Sequence, residues 1–269
     1  MSTPALSPIL LSTLTPPGGF KIVGEAAFDF AGISVSSAGD VNGDGFADLI
    51  VGAFYNDAVG YNAGAAYVVF GKAAGFGAVN LDDVAAGTGG FKIVGEASYS
   101  YAGISVSSAG DVNGDGFDDL IVGAPGIRPY SNYGYSYSGF SGAAYVVFGK
   151  AAGFGPVNLN DVAAGTGGFK IVGEAAYEFA SISVSSAGDV NGDGFDDLIV
   201  GAIGNGAGGP YAGAAYVVFG KAAGFGTVDL GDVAAGIGGF KIVGEAAFDE
   251  AGFSVSSAGD VNEIGRAHV

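Results

Sequence analysis

The chain has no cysteine and few basic residues. Without cysteine in its 269 residues it can form no disulfide, no thiolate metal site and no cysteine nucleophile. Nine lysine and arginine residues stand against 27 aspartate and glutamate residues, giving a formal net charge of −18. A surface with that charge repels phosphate backbones, so we predict no nucleic-acid partner.

Histidine and long apolar runs are also scarce. The one histidine is His268, and there is no G-x-S-x-G elbow, so we predict that the chain is not an enzyme. Paired carboxylates occur at Asp118-Asp119 and Asp196-Asp197, and spacing alone leaves a glycosidase pair open there. No stretch approaches the roughly 18 apolar residues of a membrane span. Residues 1–18 lack a basic signal-peptide region, and we expect this N-terminal segment to be poorly ordered.

Glycine is abundant, and the chain is hydrophobic enough to form a core. There are 53 glycines without collagen-like spacing, and 49% of the residues are hydrophobic. Glycines in such number suit many tight turns between short strands. The composition therefore predicts an all-β protein.

A long internal repeat determines the predicted architecture. The heptapeptide GFKIVGE begins at Gly19, Gly90, Gly168 and Gly239, so successive copies start 71, 78 and 71 residues apart. Between these marks ISVSSAGDVNGDG, DLIVGA and GAAYVVFGK recur, followed by a link rich in glycine and alanine. The short β-branched runs predict four strands per repeat, and Leu81-Asp82-Asp83-Val84 alone has a helical pattern. Four-stranded units of this size bury their faces by stacking, which predicts a β-propeller.

The repeat also predicts the domain boundaries. We expect propeller repeats over residues 19–262, with full blades at about 28–96, 99–174 and 177–245 and a partial blade at 246–262. Propellers need about four blades or more, so three full blades predict a fragment of a larger propeller. The pattern breaks after Asn262, and residues 263–269 (EIGRAHV) are interpreted as a non-native tail. Seven extra residues between Ala124 and Gly142 predict an exposed loop in the second repeat.

One acidic loop recurs in each full repeat. Oxygen-bearing side chains occupy positions 1, 3, 5 and 9, a backbone carbonyl is available at position 7, and glycine at position 6 permits a sharp turn. This pattern suits a hard cation that takes six to eight oxygen ligands, so we predict three Ca²⁺ sites. Their expected ligands are Asp40, Asn42, Asp44, Phe46 and Asp48; Asp111, Asn113, Asp115, Phe117 and Asp119; and Asp189, Asn191, Asp193, Phe195 and Asp197.

Three other interpretations fit the residues of these loops less well. A plain Asn-Gly or Asp-Gly hairpin turn does not require aspartate at positions 1 and 9 in three copies. An EF-hand needs glutamate at position 12, where this chain has Val51, Val122 and Val200. The nine-residue glycine-rich repeat of β-roll proteins is not present.

The motif DVNGDGFxDLIVGA, with Gly123-Ala124-Pro125 completing it in the second repeat, resembles the FG-GAP repeat of integrin alpha subunits. That resemblance implies that each repeat is a propeller blade, that the acidic loop joins its first two strands and binds Ca²⁺, and that the ring supports extracellular ligand binding and adhesion. The chain departs from the pattern at Phe179-Ala180-Ser181, Gly52-Ala53-Phe54 and Gly201-Ala202-Ile203. Without cysteine it is more similar to the FG-GAP arrays of large secreted bacterial proteins than to an animal receptor.

The predicted blade topology separates the calcium loops from the variable loops. In an up-and-down blade the loop between strands 2 and 3 lies at the end opposite the calcium loop. We expect ligand contact at residues 54–63, 125–141 and 203–212, and aromatic residues with an arginine suit carbohydrate or protein recognition. The residues expected to contact the ligand are Arg128, Tyr130, Tyr133, Tyr135 and Tyr137. Ring packing that only orders the loop remains the alternative.

The expected function is therefore a calcium-binding propeller module for extracellular or cell-surface adhesion or ligand recognition, with an extracellular protein or carbohydrate as partner. Two alternatives stay open. The first is that the array is a non-catalytic binding or spacing domain of a larger secreted hydrolase. The second is that it is a purely structural repeat stiffened by calcium. The repeated lysines, Lys92 and Lys72 among them, are expected to cap strand ends or to offset carboxylates.

Overall fold

A computed structural model describes residues 19–73, 75–126 and 141–258. Within these ranges it contains sixteen strands and three five-residue helices. The chain starts with β1 (Ile22–Val23), and the first repeat contains β2 (Val35–Gly39), β3 (Asp48–Ala53), β4 (Ala65–Val69), β5 (Val79–Asn80), α1 (Leu81–Ala85) and β6 (Gly90–Val94). The second repeat contains β7 (Val106–Gly110), β8 (Asp119–Ala124), β9 (Ala143–Val147), β10 (Val157–Asn158), α2 (Leu159–Ala163) and β11 (Gly168–Val172). The third contains β12 (Ala180–Gly188), β13 (Asp197–Ala202), β14 (Ala214–Val218), β15 (Val228–Asp229), α3 (Leu230–Ala234) and β16 (Gly239–Val243).

Each repeat folds into an antiparallel four-stranded blade. The strand orders are β2-β3-β4-β6, β7-β8-β9-β11 and β12-β13-β14-β16, and each strand pairs with the next of its blade along the chain. The first strand of each blade contacts the first strand of the following one. This arrangement confirms the predicted all-β propeller blades, and the blades close no ring within the described residues. No helix in the same part of the chain is long and apolar enough to cross a membrane.

The link rich in glycine and alanine is more structured than the sequence pattern indicates. It carries a two-residue strand that runs to the outer edge of the preceding blade and pairs there in parallel: β5 with β1, β10 with β6, and β15 with β11. A phenylalanine of the link stacks on the edge strand it reaches, as Phe154 does on Phe91 at 4.5 Å between ring centroids. The helix that follows confirms the helical pattern at Leu81 to Val84. Each link therefore connects two neighbouring blades.

Most of the hydrophobic core of the described residues lies between blades, in two clusters that each combine residues of neighbouring blades. Ile50 and Val68 of the first blade pack with Leu120 and Val122 of the second in one buried cluster. Residues on the other face of the same strands, such as Val51, pack under the helix of their own link. Because both faces are buried, these strands are continuous apolar runs instead of alternating ones. Val35 on the first blade is 63% exposed, whereas the matching Val106 of the second blade, which packs on the first, is 4% exposed.

Glycine is required where two blades approach each other most closely. Gly52 of β3 lies against Gly103 of the next blade, and a Cβ built on Gly52 would stand 1.9 Å from the Gly103 carbonyl oxygen. Gly103 has φ +87°, a left-handed backbone conformation that residues other than glycine rarely adopt. The two glycines therefore allow backbone contact between neighbouring blades.

We expect Gly52→Ala to destabilise the chain by about 1–3 kcal/mol, because its methyl group would force the two blades apart. The measurement is the free energy of unfolding from urea titrations. Gly155→Ala is the matched control, since a Cβ there meets nothing within 4 Å. It should change the free energy by about 0.5 kcal/mol or less. Equal effects of the two substitutions would contradict the assigned blade contact.

Candidate metal-binding loops

Each acidic loop connects the first two strands of its blade. In the first loop Gly43 and Gly45 have φ values of 71° and 87°, which turn the backbone round the Asp40 carboxylate. Asp40 accepts hydrogen bonds from the amides of Asp44 and Gly45 at 3.1 and 2.8 Å. The Asp44 carboxylate in turn accepts from the amide of Phe46 at 2.9 Å. The same bonds recur in the second and third loops, so the three loops have one local geometry.

The aspartate at position 9 is the buried anchor of each loop. Asp48 is 1% exposed and accepts from the amides of Val41 at 3.1 Å and Gly71 at 2.7 Å. Asp119 and Asp197 make equivalent pairs of bonds. These bonds join the loop to the strand before the link, so position 9 holds the loop against its own blade.

Burial and neighbouring carboxylates disfavour the charged form of these anchors. Burial raises the pKa of Asp48 to about 6, and the charges of Asp44 and Asp40 add to that rise. Burial likewise raises the pKa of Asp119 to about 8, with Asp115 and Asp111 contributing. The pKa of Asp197 is raised for the same reasons. A cation bound in the loop would oppose both effects.

The donor chemistry of the loops fits a hard divalent cation. Positions 1, 3, 5 and 9 supply only carboxylate and amide oxygens, the ligand type that Ca²⁺ prefers. The side chains at positions 3 and 5 lie together, with the Asn42 amide 3.1 Å from a carboxylate oxygen of Asp44. In the described residues, however, no three acidic, histidine or cysteine side chains converge closely enough to form a metal site on their own. The identity of the cation thus stays a prediction.

Neighbouring acidic loops contact each other directly. The amide of Asp40 donates to a carboxylate oxygen of Asp118, the position 8 residue of the second loop, at 2.7 Å. Asp196 of the third loop accepts from the amide of Asp111 in the same way at 2.9 Å. The sequence pattern did not reveal this contact, because it joins residues 78 and 85 positions apart.

The predicted ligand residues Arg128, Tyr130, Tyr133, Tyr135 and Tyr137 lie outside the described residues, as do residues 1–18 and 263–269. The matching loop of the first blade is described and carries aromatic residues. Phe30, Phe54 and Tyr55 lie with ring centroids 4.3 to 5.9 Å apart at the end of the blade opposite the acidic loop. Phe54 is buried, and Phe30, at 48% exposure, presents aromatic surface at that end of the first blade.

A partly buried ion pair joins consecutive repeats at the end of the blades opposite the acidic loops. Lys92 of β6 binds Glu25 at 2.5 Å, and the hydroxyl of Tyr67 donates to the same carboxylate. Lys170 with Glu96 and Lys241 with Glu174 repeat the pair, at 2.5 and 2.6 Å. The lysines were expected to cap strand ends or to offset carboxylates, and Lys92, Lys170 and Lys241 do the second. Their partners could not be found from the sequence, because Glu25 and Lys92 are 67 positions apart.

Two blades add a second carboxylate to this ion pair. In the first, Asp29 is 7% exposed and accepts from Asn56 at 2.6 Å. In the third, Glu178 accepts from Asn205 at 2.5 Å. Ser100 stands at the matching position of the second repeat. Burial raises the pKa of both Asp29 and Glu178, so the extra carboxylates gain affinity for a proton.

Comparison with known protein families agrees with the repeat pattern. The family model described as FG-GAP repeat matches residues 31–69, 102–147 and 182–218, one segment in each blade. The first two matched segments span the acidic loop and the first three strands of their blades, and the third does so from residue 182, within β12. A search of curated proteins finds no match.

The ion pair of the second blade predicts a pH dependence of stability. Partial burial acts to raise the pKa of Glu96, but hydrogen bonds from Lys170 and Tyr145 and the lysine charge outweigh it and lower that pKa. A lowered folded-state pKa contributes stability above the unfolded value of about 4.3 and loses it as pH falls through the folded value. We therefore expect Glu96→Gln to flatten the fall in unfolding free energy between about pH 5 and pH 3.

The measurement is a series of urea titrations across that pH range. Glu245→Gln is the matched control, because Glu245 has the same motif position but makes no ion pair in the described part of the chain. This control should keep the wild-type slope. A wild-type slope in Glu96→Gln would show that the ion pair does not control acid stability.

Proposed function

We propose that this chain, which the FG-GAP repeat model matches once in each of its three blades, is a calcium-binding propeller module for ligand recognition outside the cell. FG-GAP repeats are binding or structural modules, and they are typical of extracellular or surface proteins. The proposal adds three things to that family assignment: the cation, the recognition face and the absence of catalysis.

One observation carries the cation proposal. In each of three loops of one geometry, the buried position 9 carboxylate has its pKa raised by burial and by the charge of the position 5 aspartate, with no basic side chain among its hydrogen bonds. Two like charges about 4 Å apart repel by about 4 kcal/mol at an effective dielectric constant of 20. In the first loop Asp40, Asn42, Asp44 and Asp48 would hold the ion with their side-chain oxygens, and Phe46 would contribute its carbonyl. The bound Ca²⁺ supplies positive charge that offsets this repulsion.

Calcium in this proposal is structural rather than catalytic. The side chains of the loop bind the loop amides, and the position 9 carboxylate binds the blade, so the loop is ordered from both sides. The chain has one histidine and no cysteine, which leaves few groups for a nucleophile and its base. We therefore assign the loops to blade stability and not to a reaction.

Recognition is assigned to the opposite end of the blades. The loop between the second and third strands of the blade differs in sequence among the three repeats, whereas the acidic loops are nearly identical. Exposed aromatic residues of the first blade, such as Tyr61 and Phe28, support binding to a protein or carbohydrate surface. Arg128 and the tyrosines near it belong to the same loop of the second repeat and remain proposed contacts.

A purely structural function is the second candidate. The direct contacts between neighbouring loops favour it, because calcium would then stiffen the whole array. A recognition module binds a glycan or protein saturably, and a stiffened spacer does not. Binding of the calcium-loaded chain to glycan arrays and to cell surfaces distinguishes the two.

Calorimetric titration of chelator-treated chain with Ca²⁺ tests the cation proposal. We expect about three sites and a rise in melting temperature, since a ligand held 100-fold above its Kd adds about 2.7 kcal/mol of stability. The triple variant Asp44→Ala, Asp115→Ala and Asp193→Ala should lose both effects. The triple variant Asp83→Ala, Asp161→Ala and Asp232→Ala removes the same charge from exposed helix turns and should keep them. Loss of binding in both triples, or no binding by the parent chain, would contradict calcium binding at the loops.

A further inference from the structure

The carboxylate at position 8 of an acidic loop binds the loop of the preceding blade. Asp118 accepts from the Asp40 amide at 2.7 Å, and the Asp118 amide donates back to the Asp40 carbonyl oxygen at 3.3 Å. These two residues are 78 positions apart. Asp196 and Asp111 make the same reciprocal pair at 2.9 and 3.2 Å. We call these two bonds, at each junction, the inter-loop contact.

Two further interactions surround the inter-loop contact. The Phe117 ring lies so close to Gly43 that a Cβ built there would be 2.5 Å from the ring, and Phe195 lies equally close to Gly114. The amide of Lys150 also donates to the Val41 carbonyl oxygen at 2.9 Å. The first loop is therefore held at three points by the second blade.

The third loop supplies an internal comparison. A Cβ built on Gly192, which matches Gly43, meets nothing within 4 Å. Phe46, at position 7 of the first loop, is 41% exposed, whereas Phe117 and Phe195 are partly buried against their neighbours. These differences arise because the third loop has no loop after it and the first loop has none before it in the described residues, and not because the loop sequences differ. Position 8 alone differs in kind, with Ala47 in the first loop and aspartate in the other two.

We propose that Asp118 and Asp196 are positioning residues that couple the calcium sites of neighbouring blades, so that order in one loop raises the calcium affinity of the loop before it. The coupling rests on the calcium function proposed above. Asp40 is the first ligand of its loop, and Asp118 fixes its backbone from the next blade. Asp118 also precedes Asp119, the position 9 ligand of the second loop, so one short segment serves both sites.

The physical cause is the entropy of ordering a loop. A first ion that fixes Asp119 also restrains Asp118, and the restrained Asp118 holds the Asp40 loop in its binding conformation. The second ion then orders less of the chain, which gives positive cooperativity without a large movement. Linkage requires that the first site strengthen the second by the same factor.

A tryptophan at position 46 makes the first loop observable by itself. The chain has no tryptophan, and the Phe46 side chain is exposed, so Phe46→Trp introduces a single reporter beside the first site. Its fluorescence during a calcium titration reports the affinity of this loop. Asp118→Ala, Asp118→Asn and Asp196→Ala are then compared in this background. Alanine is already the native residue at the matching position 47, so Asp118→Ala should fold.

We expect Asp118→Ala to weaken calcium binding at the first loop by about 5-fold or more, the lower range of coupling between sites. Asp118→Asn keeps an oxygen acceptor for the Asp40 amide and should stay within about twofold of the parent. Asp196→Ala removes an equal charge one blade further on and should affect the first loop less than Asp118→Ala does.

Amide hydrogen exchange without calcium gives a second readout that does not depend on ion binding. Asp118→Ala should speed exchange at residues 40–46 and Asp196→Ala at residues 111–117, and Asp196→Ala should affect residues 40–46 less than Asp118→Ala does. Unchanged calcium affinity in Asp118→Ala overturns the coupling, even if its melting temperature falls. A parent chain with no calcium transition overturns the calcium function and the coupling together. The exchange rates of the variants then test only whether the inter-loop contact exists.

Discussion

Burial between blades is the interaction on which the rest of the structure depends. No single blade encloses its own core, because the apolar residues on one face of each sheet are covered by the next blade. The close approach at Gly52 and Gly103, the stacked rings of the links and the lysine–glutamate ion pairs all lie where two repeats meet. Stability in such an array is a sum over repeats and their interfaces.

The acidic loops belong to this arrangement of interfaces. Each loop is tied to its own blade through the position 9 carboxylate and to its neighbour through position 8. A cation bound there would act on two blades at once. The opposite end of the blades is tied by a lysine, a glutamate and a tyrosine, which leaves the loops between them free to differ among repeats. Binding residues commonly lie on variable loops that a rigid scaffold holds in place.

The sequence predicted what depends on local spacing. Short β-branched runs between glycines identified the four long strands of each blade, and DVNGDGFxD placed its oxygen-bearing residues in one turn. It missed β5, β10 and β15, because two residues are too few for a periodic pattern. It also missed the partners of Lys92 and Asp118, since these contacts join positions 67 and 78 residues apart. Contacts between repeats become visible only once the blades are stacked.

The central claim is that calcium binds in the three acidic loops, and diffraction from crystals grown with calcium tests it most directly. The proposal predicts an anomalous peak in each loop, with oxygen ligands from positions 1, 3, 5, 7 and 9 at about 2.3–2.6 Å. Loops without anomalous density, holding the hydrogen bonds described above at millimolar calcium, would contradict it.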